Sequence, residues 1–374
     1  MKFWAIALAL AVAAALLPSC QEKSETTRRI VVTAVGIDAG EDGRCRLSIQ
    51  AIESLKTSGS LTEQEDNPTV VYETEGMSVA GALDAFVAQT GRSTYTLHNR
   101  AVVVSLEQAK KLPLSTILDY FIRNHEGRSS VDVVLCRGEA AELLAVPSAG
   151  YTIPSDQLAM LVQEGWRQGY AVVSDLLSLE RSASGMFDAA LPILRVDGEG
   201  EDAGMMLDGT ALFRQGVYAG ELDESGTKGL LFGRDDMKRC QYDLRLPDKE
   251  GNERRITLQI ENSHTRVEIQ PEGLNAAFRL AVSCEAYVAE EAGGLPLGPA
   301  DLPALEEALG EAVRLDTEEA LDKSLRQWDC DVYGFTRMTK KKAPQLIRGF
   351  EDTWPQRLRD SRFTVEAEAK VELG

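Results

Sequence analysis

Two stretches in the last third of this 374-residue chain alternate apolar and polar side chains, and few folds accommodate that pattern. The first covers residues 278–288. The second covers residues 363–373, where every other position is threonine, glutamate or lysine. Successive side chains of a strand point to opposite faces of a sheet, so each stretch predicts a strand with one buried face. Between them, residues 302–328 carry apolar side chains at helical spacing. We therefore predict an α+β domain in which a long helix packs on one side of an antiparallel sheet.

The first third of the chain predicts a mixed α/β domain over residues 28–149. Apolar strand patterns there alternate with helical ones. One of the helices would be capped by Ser78 and would end at Gly91. The order of the strands in the sheet does not follow from the pattern.

Residues 150–204 differ from both flanking regions. They contain two amphipathic helical stretches and then an acidic, glycine-rich stretch at 197–204, which we interpret as a loop or hinge between larger units. The C-terminal α+β domain, 205–374, would then open with a hairpin that turns at Gln215 and Gly216. The predicted fold class is thus multi-domain, mixed α/β and α+β, with each domain a β-sheet flanked by helices.

The N-terminal segment predicts export and lipidation. Lys2 is the only charge before Cys20, and the apolar run between them is shorter than the roughly 20 residues that a spanning helix needs. Such a run is typical of a secretory signal. Residues 17–20, Leu-Pro-Ser-Cys, resemble the lipobox of bacterial lipoproteins, with Pro18 in place of the usual small residue. The resemblance implies a signal peptide at 1–19, a diacylglyceryl group on the sulfur of Cys20 and a linker at 20–27. The alternative is a secreted protein that is cut nearby, with Cys20 incidental.

Charge and cysteine content exclude several classes of protein. The formal net charge of −19 becomes −20 without Lys2, and so strong an acidity argues against nucleic-acid binding and against adsorption to an anionic membrane. Apart from Cys20, five scattered cysteines lack any C-x-x-C pair. They predict neither a disulfide framework nor a zinc site.

No motif in the sequence predicts catalysis, a metal site or a cofactor. The three histidines, His98, His125 and His264, fall in different predicted units, and the nucleophile-elbow, zinc-protease and phosphate-loop motifs are missing. A carboxylate dyad remains possible among 59 acidic residues, but nothing singles out a pair. The basic run at 340–342 could meet anionic headgroups or an acidic partner loop, or could be a solvated turn.

Several stretches together resemble one family, the Ger(x)C lipoproteins of endospore-forming bacteria. After the signal and Cys20, the matching stretches are RRIVVTAVGIDAG (28–40), HNRAVVVSLEQAK (98–110), ILDYFIRNHEGRSSVDVVLCRGEAAELL (117–144), GTALFRQGVYAGELDESGTKGLLF (209–232) and DCDVYGFTRMTKKKAPQ (329–345). Arg123, Glu126 and Arg128 match an arginine–acid–arginine stretch of the family, and Asp331 lies in the last matching stretch. No stretch is specific alone, but their order extends through most of the chain.

This resemblance implies a fold and a role. The implied fold has three domains, each built round a sheet with helices. The implied role is that of a non-catalytic C subunit of a germinant receptor, located on the outer surface of the inner spore membrane. The partners would be integral-membrane A- and B-type subunits that sense small nutrients, with no cofactor other than the lipid on Cys20.

We expect Arg123, Glu126, Arg128 and Asp331 to contribute to the surface that meets these subunits, although local capping and ion pairing would explain the arginines equally well. Two other functions stay open at this point. One is a substrate-binding lipoprotein of a transporter, against which the C-terminal antiparallel sheet argues. The other is an envelope hydrolase, which needs two convergent carboxylates.

Overall fold

The computed structural model describes residues 29–52, 69–124, 130–147, 153–183, 188–273 and 275–373. Its strands form one sheet of nine strands and one of four. We call residues 29–222, with the nine-stranded sheet, the first unit, and residues 224–372, with the four-stranded sheet, the second unit. None of the described helices is long and apolar enough to cross a bilayer.

The nine-stranded sheet is parallel at its centre and antiparallel at both sides. Its strands are β1 (Arg29–Ala39), β2 (Cys45–Ile52), β3 (Thr69–Gly76), β4 (Ser93–Tyr95), β5 (Ala101–Ser105), β6 (Asp132–Arg137), β7 (Ala189–Asp197), β8 (Gly204–Arg214) and β9 (Val217–Leu222). They are ordered β3-β2-β1-β5-β6-β7-β8-β9, and β4 pairs with the start of β1. The central strands β1, β5, β6 and β7 run parallel to one another. Strand β5 is buried along its whole length, as strands covered on both faces are.

Helices cover both faces of this sheet. They are α1 (Val79–Thr90), α2 (Leu106–Lys111), α3 (Leu114–Ile117), α4 (Asp119–Arg123), α5 (Ala140–Leu144), α6 (Pro154–Arg167) and α7 (Leu176–Ala183). Side chains of α1, α2, α3 and α7 fill one core, and those of α5 and α6 fill the other. As predicted, Ser78 caps α1 by accepting the N–H of Gly81, and Gly91 ends it in the left-handed conformation.

The second unit confirms the predicted C-terminal sheet and long helix. Its strands are β10 (Cys240–Pro247), β11 (Glu253–Glu272), β12 (Asn275–Ala292) and β13 (Arg362–Glu372), and its helices are α8 (Glu224–Gly233), α9 (Leu302–Leu321), α10 (Phe335–Lys342) and α11 (Trp354–Arg359). Strands β10, β11 and β12 are antiparallel, whereas β13 runs parallel to β12. A parallel pair needs a crossover, and the helices α9, α10 and α11 lie in this one.

Sheet membership differs from the predicted division of the chain in two places. The region 150–204, predicted as mainly helical, contains β7, which pairs with β6 and β8. The acidic stretch at 197–204, predicted as a loop or hinge between larger units, is a loop that joins β7 to its antiparallel neighbour β8 through a turn at Gly200–Asp202, within one sheet. Strands β8 and β9 therefore belong to the nine-stranded sheet, although the sequence pattern predicts that the C-terminal domain begins at residue 205.

The two units share a core. Val172, Ala190, Leu212 and Leu222 of the first unit pack in the same apolar cluster as the buried residues of the second. Gly220 of β9 also lies against the indole of Trp328, and a Cβ atom at residue 220 would come within 2.1 Å of that ring. The predicted hairpin at Gln215 and Gly216 is confirmed, and it brings β9 to this contact.

A candidate functional site between the two units

A cavity of about 350 Å³ opens where the first unit meets the second. Asp188, Arg214 and Gln215 form its wall on the first unit, and residues of the segment 325–359 form its wall on the second. We call this space the junction cleft. It contains Asp331, one of the predicted interaction residues.

The carboxylate of Asp188 joins the two walls. Its Oδ1 accepts the backbone N–H of Gln215 at 2.9 Å, and its Oδ2 accepts the backbone N–H of Asp331 at 2.5 Å. Gln215 has φ 49, so the β8–β9 turn presents its N–H from a left-handed residue. Burial raises the pKa of Asp188, and the two N–H donors act in the opposite direction.

The carboxylate of Asp331 caps helix α10. It accepts the backbone N–H groups of Phe335 at 2.8 Å and Thr336 at 2.7 Å. Gly334, at φ 75, makes the left-handed turn that brings these groups to the carboxylate. Burial raises the pKa of Asp331 to about 6, because its effect exceeds that of the hydrogen bonds from Thr336 and Phe335.

Further polar contacts fix the chain around Asp331. Helix α9 continues into a π-helical turn, Asp322–Gln327, and Asp329 then adopts φ 51 and pairs with Arg214 across the cleft at 2.7 Å. The buried guanidinium of Arg234 donates to the carbonyl of Val332 at 2.8 Å, and burial lowers its pKa. These contacts hold the loop between α9 and α10 from both units.

The remaining wall of the cleft combines apolar and basic side chains. The indole N–H of Trp354 in α11 donates a hydrogen bond to Thr336 Oγ1 in α10 at 3.0 Å, so this bond links the two helices. Arg337, Lys340 and Arg359 line the same wall. The arrangement offers an apolar surface with cations beside it.

The geometry of the buried acids bears on the hydrolase alternative. Asp188 and Asp331 do converge, but every oxygen of the two carboxylates accepts a backbone N–H. Within the described ranges, no three His, Cys, Asp or Glu side chains are grouped to hold a metal ion. The buried acids thus hold the backbone of the cleft in place.

The predicted interaction residues do not share one cavity. Arg123 lies at the end of α4, is 79% exposed, and pairs with Asp119 at 2.8 Å. It lines a separate cavity of about 490 Å³, beside the turn between β1 and β2. Cys20, Glu126 and Arg128 lie outside the described residues.

Residues 36–38, Gly-Ile-Asp, belong to the first matching stretch, and the structure shows what two of them do. Asp38 is buried at the end of β1 and accepts the N–H of Ala140, the first residue of α5, at 2.9 Å. Gly36 allows this approach, since a Cβ there would lie 2.8 Å from the Cβ of Ala140. The motif therefore joins a strand to the helix that packs on it.

Comparison with known proteins decides the family. A family model described as "Spore germination protein N-terminal domain" matches residues 22–196, and one described as "Spore germination B3/GerAC like, C-terminal" matches residues 208–373. The chain belongs to the Ger(x)C family of spore germination proteins. The gap between the matched ranges includes the predicted boundary at 204/205, although β8 and β9 stay paired within the nine-stranded sheet.

Individual members of the Ger(x)C family align along most of the chain. Spore germination protein KC of Bacillus subtilis (strain 168) is 23% identical over 98% of this chain and 94% of its own length. Spore germination protein YndF of the same organism is 22% identical, over 90% and 88%. The crystal structure of the GerBC protein shares the fold, with a TM-score of 0.55 at 15% identity, covering 90% of this chain and 96% of that one.

Proposed function

We propose that this Ger(x)C protein is a lipid-anchored, non-catalytic subunit of a nutrient germinant receptor. The observation that carries the proposal is the match to both family models, which together extend from residue 22 to residue 373. The lipobox-like residues before Cys20 supply the anchor. A diacylglyceryl group on its sulfur carries two acyl chains, which hold a protein stably where a single chain holds it only marginally.

The anchor explains how modest interfaces suffice for assembly. It confines the acidic body to a thin layer on the outer surface of the inner spore membrane, where A- and B-type integral-membrane subunits lie. Confinement raises the effective concentration of the body towards those partners without any new contact. No nucleic acid takes part, in keeping with the net charge of −19.

Arg123 is the described residue best placed to meet a partner. Its guanidinium is exposed, and its ion pair with Asp119 lies within one exposed helix, so exchange of that pair for a partner's carboxylate costs little. Glu126 and Arg128, which belong to the same matching stretch of sequence, are the other residues that we propose for this interface. Asp331 would act indirectly, by capping α10 and so shaping the second unit.

A complementation experiment in the source organism tests this function. Spores without the gene should fail to respond to the nutrients that trigger the wild type. Cys20→Ala should fail equally at normal protein level, whereas the neighbouring Ser19→Ala should restore the response. Normal germination of the deletion strain on every nutrient tested would contradict the proposal.

The same assay tests Arg123. Arg123→Ala should weaken the response, whereas Arg266→Ala should not. Arg266 is a matched control because it is 75% exposed and has an acidic neighbour, Glu268, at 3.7 Å. Equal responses of the two variants would remove Arg123 from the interface.

A further inference from the structure

We propose that the junction cleft binds a small organic anion that carries an apolar portion. This inference goes beyond the receptor-subunit role, and it depends neither on the lipid anchor nor on the partner subunits. It rests on the shape of the cavity, on the charges left available in it and on the rigidity of its walls.

The shape suits a small molecule. The cavity of about 350 Å³ falls within the roughly 300–1,000 Å³ of typical ligand pockets, which combine apolar walls with a few polar groups. Its apolar walls are Leu325, Ile347, Trp354, Pro355 and Leu358. A flat membrane surface could not enter this concave space.

The acidic side chains of the cleft are already occupied. Asp188 and Asp331 each accept two backbone N–H groups, and Asp329 pairs with Arg214 at 2.7 Å. Hydrogen bonds of this kind stabilise a carboxylate without removing its charge. The oxygens of these three acids are therefore engaged within the protein, whereas Arg337 and Lys340 have no such partner among the described residues.

The cations of the opposite wall are available. Within the part of the chain that the structure describes, neither Arg337 nor Lys340 forms an ion pair with a carboxylate within 4.0 Å. The two residues lie three positions apart on α10, hence on one side of it. The Arg337 guanidinium lies close to Gly334, since a Cβ there would be 3.7 Å from Nη2.

Two further charged residues, Glu351 and Arg359, line this part of the cleft. Hydrogen bonds from the backbone at Glu351 and Gly349 lower the pKa of Glu351, and the charge of Lys340 acts in the same direction, so Glu351 stays ionised near Lys340. The guanidinium of Arg359 donates a hydrogen bond to the side-chain oxygen of Gln356, which is uncharged and therefore does not neutralise the arginine. An anion on this wall would thus meet Arg337, Lys340 and Arg359 beside the carboxylate of Glu351.

The segment that forms the wall of the cleft on the second unit is basic, although the whole chain is acidic. Residues 334–362 contain eight basic and three acidic residues, a net charge of +5 within a chain of −19. Over the Debye length of about 8 Å at physiological ionic strength, the nearby charges dominate the distant ones. The lining of the cleft as a whole contains four acidic and four basic side chains, so attraction of an anion is confined to the wall that carries Arg337, Lys340 and Arg359.

The walls are held before any ligand binds. Asp188 fixes the turn at Gln215 to the loop at Asp331, and Trp354 fastens α11 to Thr336 on α10. A site with fixed walls loses little entropy on binding. The apolar wall and the cations would therefore contact a ligand without rearrangement of the backbone.

Isothermal titration calorimetry of the detergent-solubilised full chain tests the proposal. The probes are phenyl phosphate, benzoate and the neutral benzyl alcohol. We expect one saturable site for phenyl phosphate or benzoate with a dissociation constant of about 1 mM or tighter, and no saturation by benzyl alcohol. Loss of one charge-assisted contact in Arg337→Gln or Lys340→Gln should weaken binding about tenfold.

Lys341→Gln is the matched control, because Lys341 belongs to the same basic run but does not line the cleft. It should change the affinity less than about twofold if binding is specific to the cleft, since exposed charges are screened. No saturation by either anion up to about 10 mM, equal binding of benzyl alcohol, or equal weakening by all three substitutions would each overturn the proposal. All three side chains are on the surface of α10, so unchanged thermal midpoints should accompany these results.

Discussion

The Oδ2 atom of Asp188 accepts the backbone N–H of Asp331 at 2.5 Å, across 143 residues of sequence. Its other oxygen accepts the N–H of Gln215 in the β8–β9 turn. One carboxylate thus connects the first unit, its last hairpin and the loop that starts α10. In this Ger(x)C protein the two units are joined by polar contacts as well as by their shared core.

Removal of the Asp188 carboxylate should destabilise the protein. Asp188→Ala takes the acceptor from two backbone N–H groups, of which that of Asp331 is partly buried and that of Gln215 is exposed, so we expect a loss of about 1–3 kcal/mol in the free energy of unfolding. Asp188→Asn keeps one carbonyl oxygen and should lose less. Urea titration followed by circular dichroism measures both. An unchanged midpoint for Asp188→Ala would show that the hydrogen bonds do not hold the units together.

The ion pair between Arg214 and Asp329 should contribute little by comparison. The side chain of Arg214 is 46% exposed, and exposed pairs are worth at most about 1 kcal/mol. A double-mutant cycle with Arg214→Gln and Asp329→Asn should give a coupling energy below about 1 kcal/mol, and less at high salt. A coupling of about 3 kcal/mol would instead indicate a desolvated pair.

Two glycines in helices should respond to alanine in opposite directions. A Cβ at Gly229 in α8 would lie 2.0 Å from the carbonyl oxygen of Asp316 in α9, so Gly229→Ala should force the helices apart at a cost of roughly 1–3 kcal/mol. At Gly81 in α1 the nearest atom is 3.5 Å away, and Gly81→Ala should be neutral or stabilising by up to about 1 kcal/mol. Thermal unfolding of both variants checks the contrast, and equal effects would contradict the close helix contact.

Asp331 should titrate near pH 6. Burial raises its pKa to about 6 from an ordinary 3.8, and burial with the neighbouring Asp175 does the same for Asp132. Carboxyl carbon resonances of aspartate-labelled protein should therefore include two that titrate near pH 6, one lost in Asp331→Asn and the other in Asp132→Asn. Titration of both near pH 4 would mean that water reaches them.

The raised pKa values also set the direction of the pH dependence. Between about pH 4 and pH 6 the folded state holds more protons on Asp331 and Asp132 than the unfolded state does. Their contribution to stability is therefore present at low pH and is lost as the pH rises through 6. The slope of the unfolding free energy against pH over this interval should become less negative in Asp331→Asn. An unchanged slope would contradict this assignment.

Local patterns predicted the elements of this protein well, because they depend on neighbours in sequence. The alternation in 363–373 placed Val365 and Val371 on the buried face, and Ser78 and Gly91 marked the ends of α1. Leu373, which the alternation put on the same face, is 38% exposed at the end of the strand.

The assignment of strands to sheets and the junction cleft could not be predicted in this way. The pattern of β8 and β9 fits either sheet, and their pairing with β7 is decided by which surfaces remain to be buried. Asp188 stands before an ordinary apolar strand, and nothing near it in sequence indicates Asp331 as its partner. Asp331 lies in a stretch of sequence that resembles the family, but only the structure shows that its carboxylate caps α10.

We propose that a lipid on Cys20 anchors this Ger(x)C protein as a receptor subunit. The decisive experiment is to determine the mass of the N-terminal peptide from the membrane fraction and to compare it with that of the Cys20→Ala variant. We predict that the peptide begins at Cys20 and carries a diacylglyceryl group, and that Cys20→Ala loses both the modification and membrane retention. An unmodified chain that is cut elsewhere and recovered in the soluble fraction would contradict the account.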